Sequence, residues 1–325
     1  MVALLVSALA SCSAVIDDEL PECKDGLELR FIYDYNMEFA NAFPSQVDCL
    51  TVLVYTEEGQ YIGTYTESGE PLADEDYRMH IPLEPGKYRI VAWGGLQCEK
   101  ASFAFTANPA QAAMTALQVR LNPALLTSPV GSNLHNLFYG ELEAEIVKRN
   151  TLQYTTYTVP MMKDTNNIRV ILQNLSLQPL SDSDFEFSIT DDNTLLAWNN
   201  AVVPTSTITY SPWITGTVTA GQNDEGTAVV GAYAELSTSR LIASHNARLK
   251  IRNVKTDTDI IDIPLIDFLL MLKSQQFESM GNQEFLDRES RWALTFFLQG
   301  TGTWMSAYVK INDWVVRLNN IDFGS

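Results

Sequence analysis

The sequence predicts an all-β protein built from two β-sandwich domains. Short segments in which apolar and polar residues alternate recur along most of the chain, and a period of two is typical of half-buried strands. Turn-forming residues separate these segments, and stretches with helical periodicity are rare. The length of 325 residues favours two domains, and a hydrophobic fraction of 46% is ample for their cores.

The first predicted domain spans residues 27–160. It begins with the alternating segment LELRFIYDY (27–35), and VDCLTVLVY (47–55) is a second segment of the same half-buried kind. Gly59 can adopt the positive φ of a tight turn, so this strand is expected to turn back into QYIGTYT. The segment RMHIPLEPGKYRIVAWGGL (78–96) predicts another hairpin, because its central Pro-Gly pair suits a turn.

The middle of the chain is less regular. ANPAQAAMTALQVRLN (107–122) predicts a helical turn or a loop that leads into a strand, and LTSPVGSNLHNLFYG (126–140) predicts a loop. GELEAEIV and TLQYTTYTVPM then have the β-branched and aromatic content of strands. The change of pattern near Pro160 indicates a domain boundary.

The second predicted domain spans residues 161–325 and contains one short helix. NIRVILQNL and DFEFSITDD predict its opening strands. The helix is predicted by apolar residues at i, i+3, i+4 and i+7, after Pro264 in the first turn: Leu265, Phe268, Leu269 and Leu272. Alternation returns from Trp292, and the tail SAYVKINDWVVRLNNIDF predicts a last strand or pair of strands.

The N-terminal segment MVALLVSALASCSAVIDDELPEC predicts export and lipidation. Its apolar run is far shorter than the roughly 20 residues of a membrane span, and small residues follow it, as in a secretory signal. The order Leu-Ala-Ser-Cys ending at Cys12 resembles the lipobox of bacterial lipoproteins. Residues 1–11 are therefore predicted to be the signal peptide, and residues 12–26 a lipidated, acidic tether. No basic residue precedes the apolar run, and an ordinary secretory signal with a chance cysteine is the alternative.

Composition excludes several functions. A formal net charge of −19 argues against binding to nucleic acid, which depends on basic residues that meet phosphates. The chain has no nucleophile elbow, P-loop or dinucleotide-binding glycine motif, so we predict that it is not an enzyme. No cofactor is expected.

Cysteines and histidines give no metal-binding pattern. If Cys12 carries lipid, two of the other three cysteines can form a disulfide after export; these are Cys23, Cys49 and Cys98, and the sequence does not choose the pair. The three histidines lie far apart. The acidic turns at residues 190–193 and 256–259 lack the spacing of a calcium-binding EF-hand, and solvated turns are the simpler interpretation.

Several stretches together resemble one family. They are YDYNMEFANAF (33–43), YRIVAWGGL (88–96), KDTNNIRV (163–170), NQEFLDRESRWAL (282–294) and INDWVVRLNNIDF (311–323). With the lipobox, they are similar to the FimB-type fimbrial anchor lipoproteins of the Bacteroidetes, the group that includes the minor fimbrium anchoring subunit. Within the fourth stretch, Asp287 and Arg288 are candidates for an ion pair.

The resemblance implies a fold, a location and a partner. The fold is two tandem sandwiches of transthyretin-like topology, and the location is the outer face of the outer membrane, held by the lipid on Cys12. The partner is a fimbrial shaft subunit, and the role is to fix the base of the fimbrium and limit its length. Shaft subunits of this type lose their first strand by proteolysis. An anchor must keep its own, here around residues 27–34, because the lipid precedes it.

The C-terminal strand is the predicted partner-binding element. In strand addition, an extended segment joins an open sheet edge, and alternate side chains fill pockets. Trp314, Val316 and Leu318 form the apolar row of such a segment. The alternative is that this strand completes its own domain.

A glycan-binding surface lipoprotein is the alternative function. Exposed aromatic side chains stack on sugar faces, and three tryptophans lie in or near predicted loops: Trp198, Trp213 and Trp304.

Overall fold

The computed structural model describes residues 26–126, 133–147, 154–222, 226, 228–299, 303–311 and 314–317. The predicted lipidation site Cys12 and the residues Cys23 and Leu318 lie outside these ranges. Among the described residues, no helix is long and apolar enough to span a bilayer.

Strands dominate the structure, which confirms the all-β fold. In the first half they are β1 (Gly26–Ile32), β2 (Cys49–Thr56), β3 (Tyr61–Ser68), β4 (Met79–Pro82), β5 (Gly86–Gly94), β6 (Phe103–Phe105), β7 (Gln118–Leu121), β8 (Phe138–Ile146) and β9 (Tyr154–Lys163). In the second half they are β10 (Thr165–Asn174), β11 (Phe185–Asp191), β12 (Leu195–Ala197), β13 (Ile208–Tyr210), β14 (Ile214–Gln222), β15 (Ala228–Ser239), β16 (Arg248–Asn253), β17 (Thr258–Pro264), β18 (Arg291–Gln299), β19 (Thr303–Ile311) and β20 (Trp314–Arg317).

The helices are short. They are α1 (Phe43–Gln46), α2 (Leu265–Met271) and α3 (Asn282–Arg288), with 3-10 turns at Glu70–Ala73, Met114–Ala116, Pro123–Leu125, Asp182–Asp184 and Gln275–Phe277. The predicted helix in the second half is α2, whose apolar face is buried. The second half also contains α3, in a segment without the helical apolar pattern.

The first half forms a sandwich whose two layers share one continuous strand order. That order is β3-β2-β5-β8-β9-β1-β4, and the layers join where β8 pairs briefly with β9. The predicted β2–β3 hairpin is confirmed. The predicted hairpin at residues 78–96 is wrong: β4 pairs with β1, whereas β5 pairs with β2 and β8. The turn between them carries the chain from one layer to the other.

Strand β2 is buried on both faces, and the expectation of a half-buried strand is wrong. One face, with Val52 and Val54, packs against the core around β1. The other face, with Leu53 and Tyr55, belongs to a second core. A three-stranded sheet in the order β12-β7-β6 supplies part of that second core. The continuous apolar run of this strand is typical of burial on both sides.

The second half contains two further sheets. Their orders are β14-β15-β10-β18-β19-β20 and β13-β11-β16-β17. The two halves are joined by chain pairing, because β12 of the second half pairs with β7 of the first. The predicted boundary at Pro160 falls inside β9, and the long strands β9 and β10 are separated by the single residue Asp164.

A disulfide and a glycine fix the end of β5. Cys49 and Cys98 are bonded, with their Cα atoms 6.0 Å apart. Gly95 has a φ of +81°, and a Cβ atom there would lie 1.8 Å from the carbonyl oxygen of Asn136. Its backbone N–H donates to the carbonyl oxygen of Cys49 at 2.9 Å. Neither the backbone angle nor the space allows another residue at this position.

We predict that Gly95→Ala lowers the free energy of unfolding by at least about 3 kcal/mol, because the backbone must shift to relieve the overlap. Gly69→Ala is the matched control: Gly69 has a φ of +77° but nothing within 4 Å of the added Cβ. Its ψ is −141°, and Gly69→Ala should lose only the cost of this sparsely populated backbone conformation, about 1–3 kcal/mol. Urea unfolding of both variants measures the difference, and equal losses would contradict the steric explanation.

Candidate functional site

The first strand is held along both edges. β1 runs parallel to β9 from Gly26 to Ile32 and antiparallel to β4 from Gly26 to Leu29. Its inward side chains are buried: Leu27, Leu29 and Phe31. Burying an apolar side chain of this size contributes about 1.5–3 kcal/mol. β1 is therefore an integral part of the sandwich.

The outward face of β1 adds polar contacts to both neighbours. The Glu28 carboxylate accepts a hydrogen bond from Thr156 of β9 at 2.9 Å, and it lies 2.9 Å from the His80 ring nitrogen of β4. Hydrogen bonds from His80 and Thr156 lower the pKa of Glu28. The glutamate thus connects the three strands across the surface.

The predicted partner-binding strand lies at the edge of a sheet. β20 pairs antiparallel with β19, with Val316 opposite Val309 and Trp314 opposite Ile311. It is the last strand in its sheet, and no other described strand pairs with it. The structure does not bring Trp314 and Val316 together with β1, which belongs to a different sheet. Their role in binding a partner stays a prediction.

A buried polar cluster lies where β9 passes into β10. We define it as Asp164, Asn200, Arg240, Gln283 and Asp287. Arg240 donates two hydrogen bonds of 2.9 Å to the Asp287 carboxylate, and its Nε lies 4.0 Å from Asp164 Oδ1. Asn200 donates to the same Asp164 oxygen at 2.8 Å. This junction cluster ties the connection between the strands to α3 and to the loop after β15.

The candidate pair Asp287–Arg288 does not form. Asp287 pairs with Arg240, whereas Arg288 pairs with Glu284 at 2.8 Å. The guanidinium of Arg288 lies over the rings of Tyr35 and Phe39, at 4.0 and 4.9 Å from their centroids. Such stacking holds α3 against the loop after β1.

Burial shifts the pKa values on either side of the junction. It raises the pKa of Asp164 to about 7, and the positive charge of Arg240 opposes this shift. It lowers the pKa of the neighbouring Lys163 to about 8. The connection between β9 and β10 therefore carries groups that titrate near neutral pH.

The acidic turns differ from each other. The turn at 190–193 is not the solvated turn that was expected, because Asp191 is 3% exposed and Asn193 is fully buried. Burial raises the pKa of Asp191 to about 6. In the other turn, Asp257 pairs with Arg252 and Asp259 pairs with Lys250.

The structure describes the side chains of two of the three tryptophans proposed to stack on sugars, Trp198 and Trp213. Trp198 is partly buried against the second core and lines a cleft of about 290 Å³ with Met114 and Arg89. Trp213 is also partly buried. The side chain of Trp304 lies outside the described part of the structure.

Comparison with known families decides the class of protein. The model of the family described as fimbrillin-A associated anchor proteins Mfa1 and Mfa2 matches residues 20–320. This chain belongs to that family. No protein with a curated description matches it in sequence.

Solved structures agree with this assignment to the Mfa2 family. A proposed adhesin from Bacteroides thetaiotaomicron VPI-5482 is 49% identical over 93% of this chain and 100% of that one, with a TM-score of 0.86. Proposed polysaccharide-binding proteins from the same organism are 28% identical over 91% and 99%, with a TM-score of 0.76. The fimbrial anchor protein Mfa2 from Porphyromonas gingivalis, 15% identical over 91% and 99%, shares the fold with a TM-score of 0.67.

Three of the stretches that carry the family resemblance meet at the junction. The loop 33–43 supplies the rings that stack on Arg288, the segment 163–170 supplies Asp164, and the segment 282–294 supplies Asp287. Trp292 in the segment 282–294 also donates a hydrogen bond of 3.0 Å to Asn166 in the segment 163–170. Arg240 and Asn200 were not predicted from the sequence, because they lie in no recognisable motif.

We predict that Asp164→Asn removes part of the pH dependence of stability in this Mfa2-family chain. The pKa of Asp164 rises from 3.8 to about 7 on folding, so the folded state keeps a proton that the unfolded state has lost between about pH 4 and 7. Raising the pH through this window therefore lowers the contribution of Asp164 to the free energy of unfolding, by about 1.4 kcal/mol for each pH unit crossed.

Urea unfolding at several pH values between about 4.5 and 7.5 compares wild type with Asp164→Asn across that window. The difference between the two slopes of unfolding free energy against pH isolates the contribution of Asp164, because the contributions of the other groups are the same in both proteins and cancel. The exposed Asp267 supplies the control variant Asp267→Asn. Parallel curves for wild type and Asp164→Asn would contradict a raised pKa.

Proposed function

We propose that this protein is an outer-membrane lipoprotein that anchors a fimbrium to the cell surface and limits its length. The matched family is one of fimbrial anchor proteins and not an enzyme family, which supports a fimbrial or adhesive role. The observation that carries the finer proposal is the placement of β1, which is paired with β4 and β9 in its sandwich and follows the predicted lipid attachment site closely in the sequence.

Two attachments define an anchor, and the first is to the bilayer. Acyl chains on Cys12 would supply about 0.8 kcal/mol for each buried CH₂, and several chains on one residue hold firmly where one chain does not. From Cys12 to Gly26 the chain can span at most about 50 Å. The tether would therefore keep the sandwich near the membrane surface.

The second attachment is to a shaft subunit through strand addition. An edge strand with one free side can extend its sheet into a partner, or leave its own sheet and complete the sheet of a partner. β20 occupies such an edge. Trp314, Val316 and Leu318 would supply the row of side chains for the pockets of the partner.

Retention of β1 would limit growth. In the proposed mechanism, a shaft subunit accepts the next subunit in the groove left by its lost first strand. Here β1 already fills that position between β4 and β9. Cleavage after β1 would also cut the chain between the lipid and the rest of the sandwich, so the anchor keeps its strand and further addition stops.

We expect Cys12→Ala to release the protein from the membrane, because the alanine offers no sulfur atom for lipid attachment. Fractionation of cell envelopes and immunoblotting measure the release, and Cys23→Ala is the matched control that should stay with the membrane. If Cys12→Ala stays in the membrane pellet with fimbriae attached, lipid anchoring at this residue is wrong.

Deletion of residues 314–325 should abolish binding to the shaft subunit if the C-terminal strand is the donor. Deletion of 319–325 is the control, because it keeps Trp314, Val316 and Leu318. Pull-down from cell envelopes with mass spectrometry identifies the bound subunit. Unchanged binding by the longer deletion would point to another surface.

Glycan binding is the second candidate function. It is favoured by the 28% identity to proteins described as polysaccharide-binding, and Trp198 at a cleft offers a partly accessible ring. Trp198→Ala should then reduce binding on glycan arrays, while attachment of fimbriae stays intact. No glycan signal above that of a denatured control would exclude this candidate.

A further inference from the structure

Three side chains of the types that bind metal ions converge beside the junction cluster, and none of them belongs to the proposed anchoring elements. Asp191 and Asp192 lie at the end of β11, and His245 lies in the loop between β15 and β16. The Nδ1 atom of His245 is 2.8 Å from Asp192 Oδ1 and 3.7 Å from Asp191 Oδ1. One ring nitrogen thus faces two carboxylates.

Two atoms of this cluster are buried without a hydrogen-bond partner. They are Asp191 Oδ2 and His245 Nδ1. The short contact between His245 Nδ1 and Asp192 lacks hydrogen-bond geometry, so it does not satisfy the ring nitrogen. The Asp191 side chain is 1% exposed. Buried polar atoms are almost always paired, and an unpaired one is costly, so this pair of atoms calls for a ligand.

The charges of the cluster favour a cation. Within the described part of the chain, no lysine or arginine forms an ion pair with Asp191 or Asp192. Arg240, in the same loop as His245, is held by Asp287 through two hydrogen bonds. Two carboxylates beside an imidazole form a donor set whose negative charge a divalent cation would balance.

The distances and the donor set select the kind of cation. With bonds of about 2.0–2.1 Å, ligands at the corners of a tetrahedron are about 3.3 Å apart, and the observed separations of 2.8 and 3.7 Å bracket this value. Calcium and magnesium prefer oxygen ligands, whereas imidazole suits zinc and its neighbours. We propose that Asp191, Asp192 and His245 form a binding site for a divalent transition-metal cation such as Zn²⁺.

The surroundings hold this site in place and connect it to the junction cluster. The side chain of Asn193 donates to the carbonyl oxygen of Arg240 at 2.9 Å and accepts from Tyr210 at 2.7 Å. A cation bound by Asp191 and His245 would tie β11 to the loop that carries Arg240. It would therefore brace the residues that hold the connection between β9 and β10.

A second group of similar composition serves as the control. Asp48, Cys98 and His135 also lie close together, but Cys98 is bonded to Cys49 and offers no thiolate. His135 and Asp48 form a two-residue pair with a distance of 2.9 Å. His135→Gln likewise removes an imidazole beside a carboxylate, but from a group that has no third ligand for a metal ion.

The test is titration of the untagged, full-length chain with ZnCl₂ in a calorimeter, after treatment with chelator and alkylation of free thiols. We expect one Zn²⁺ per chain, and a loss of affinity of about tenfold or more in Asp191→Asn and His245→Gln. His135→Gln should bind like wild type, and CaCl₂ should bind more weakly than ZnCl₂. Equal zinc binding by wild type and His245→Gln, or no binding by wild type, would overturn the site.

Nuclear magnetic resonance of the wild-type chain with ¹⁵N-labelled histidine keeps the proposal testable if a variant fails to fold. Zinc should shift the imidazole signals of one histidine, identified as His245 because the signals of the other two disappear in His80→Gln and His135→Gln. A shift confined to His80 or His135, or no shift at all, would contradict the proposal.

Discussion

The central constraint in this molecule is the placement of its first strand. β1 lies between β4 and β9: β9 pairs along its whole length and β4 along its first four residues, while its apolar face fills the core of the first sandwich. Removing such a strand would expose a groove lined by core residues and leave two rows of backbone groups unpaired. The second half repeats this arrangement, because β10 runs parallel to β18 and antiparallel to β15.

The junction between the halves determines how a pulling force on the second half would be transmitted towards β1. β9, the parallel partner of β1, leads through Asp164 directly into β10, the central strand of the largest sheet of the second half. Removing one partner from a buried charge network leaves an uncompensated charge, which is strongly destabilising. The pairing of Arg240 with Asp287 beside Asp164 therefore ties the connection between β9 and β10 to α3. A pull on the second half would reach the first through β9, the parallel partner of β1, and through the pairing of β12 with β7.

The sequence predicted the elements whose signals are local. Strict alternation located β1 and β18, a glycine turn located the β2–β3 hairpin, and helical spacing located α2. The missed features depend on partners far along the chain. β6 and β12 are strands of three residues, and both pair with β7, which brings β12 across from the other half; the Arg240–Asp287 pair joins residues 47 positions apart. The disulfide partners were undetermined for the same reason, since pairing depends on spatial distance. The alternating pattern predicted the strand that carries the proposed binding residues Trp314 and Val316. The structure added the finding that this strand, β20, lies at the edge of its sheet.

Hydrogen–deuterium exchange across residues 26–32 tests most directly whether β1 is a permanent part of the anchor. The purified protein is measured alone and with an excess of shaft subunit, and exchange in β1 is compared with exchange in β9. Permanent insertion predicts that β1 amides are protected as strongly as those of β9 and that the shaft subunit leaves this protection unchanged. Rapid exchange in β1 alone, or loss of its protection when the shaft subunit is added, would show that the strand can be displaced and would contradict the proposed limit on growth.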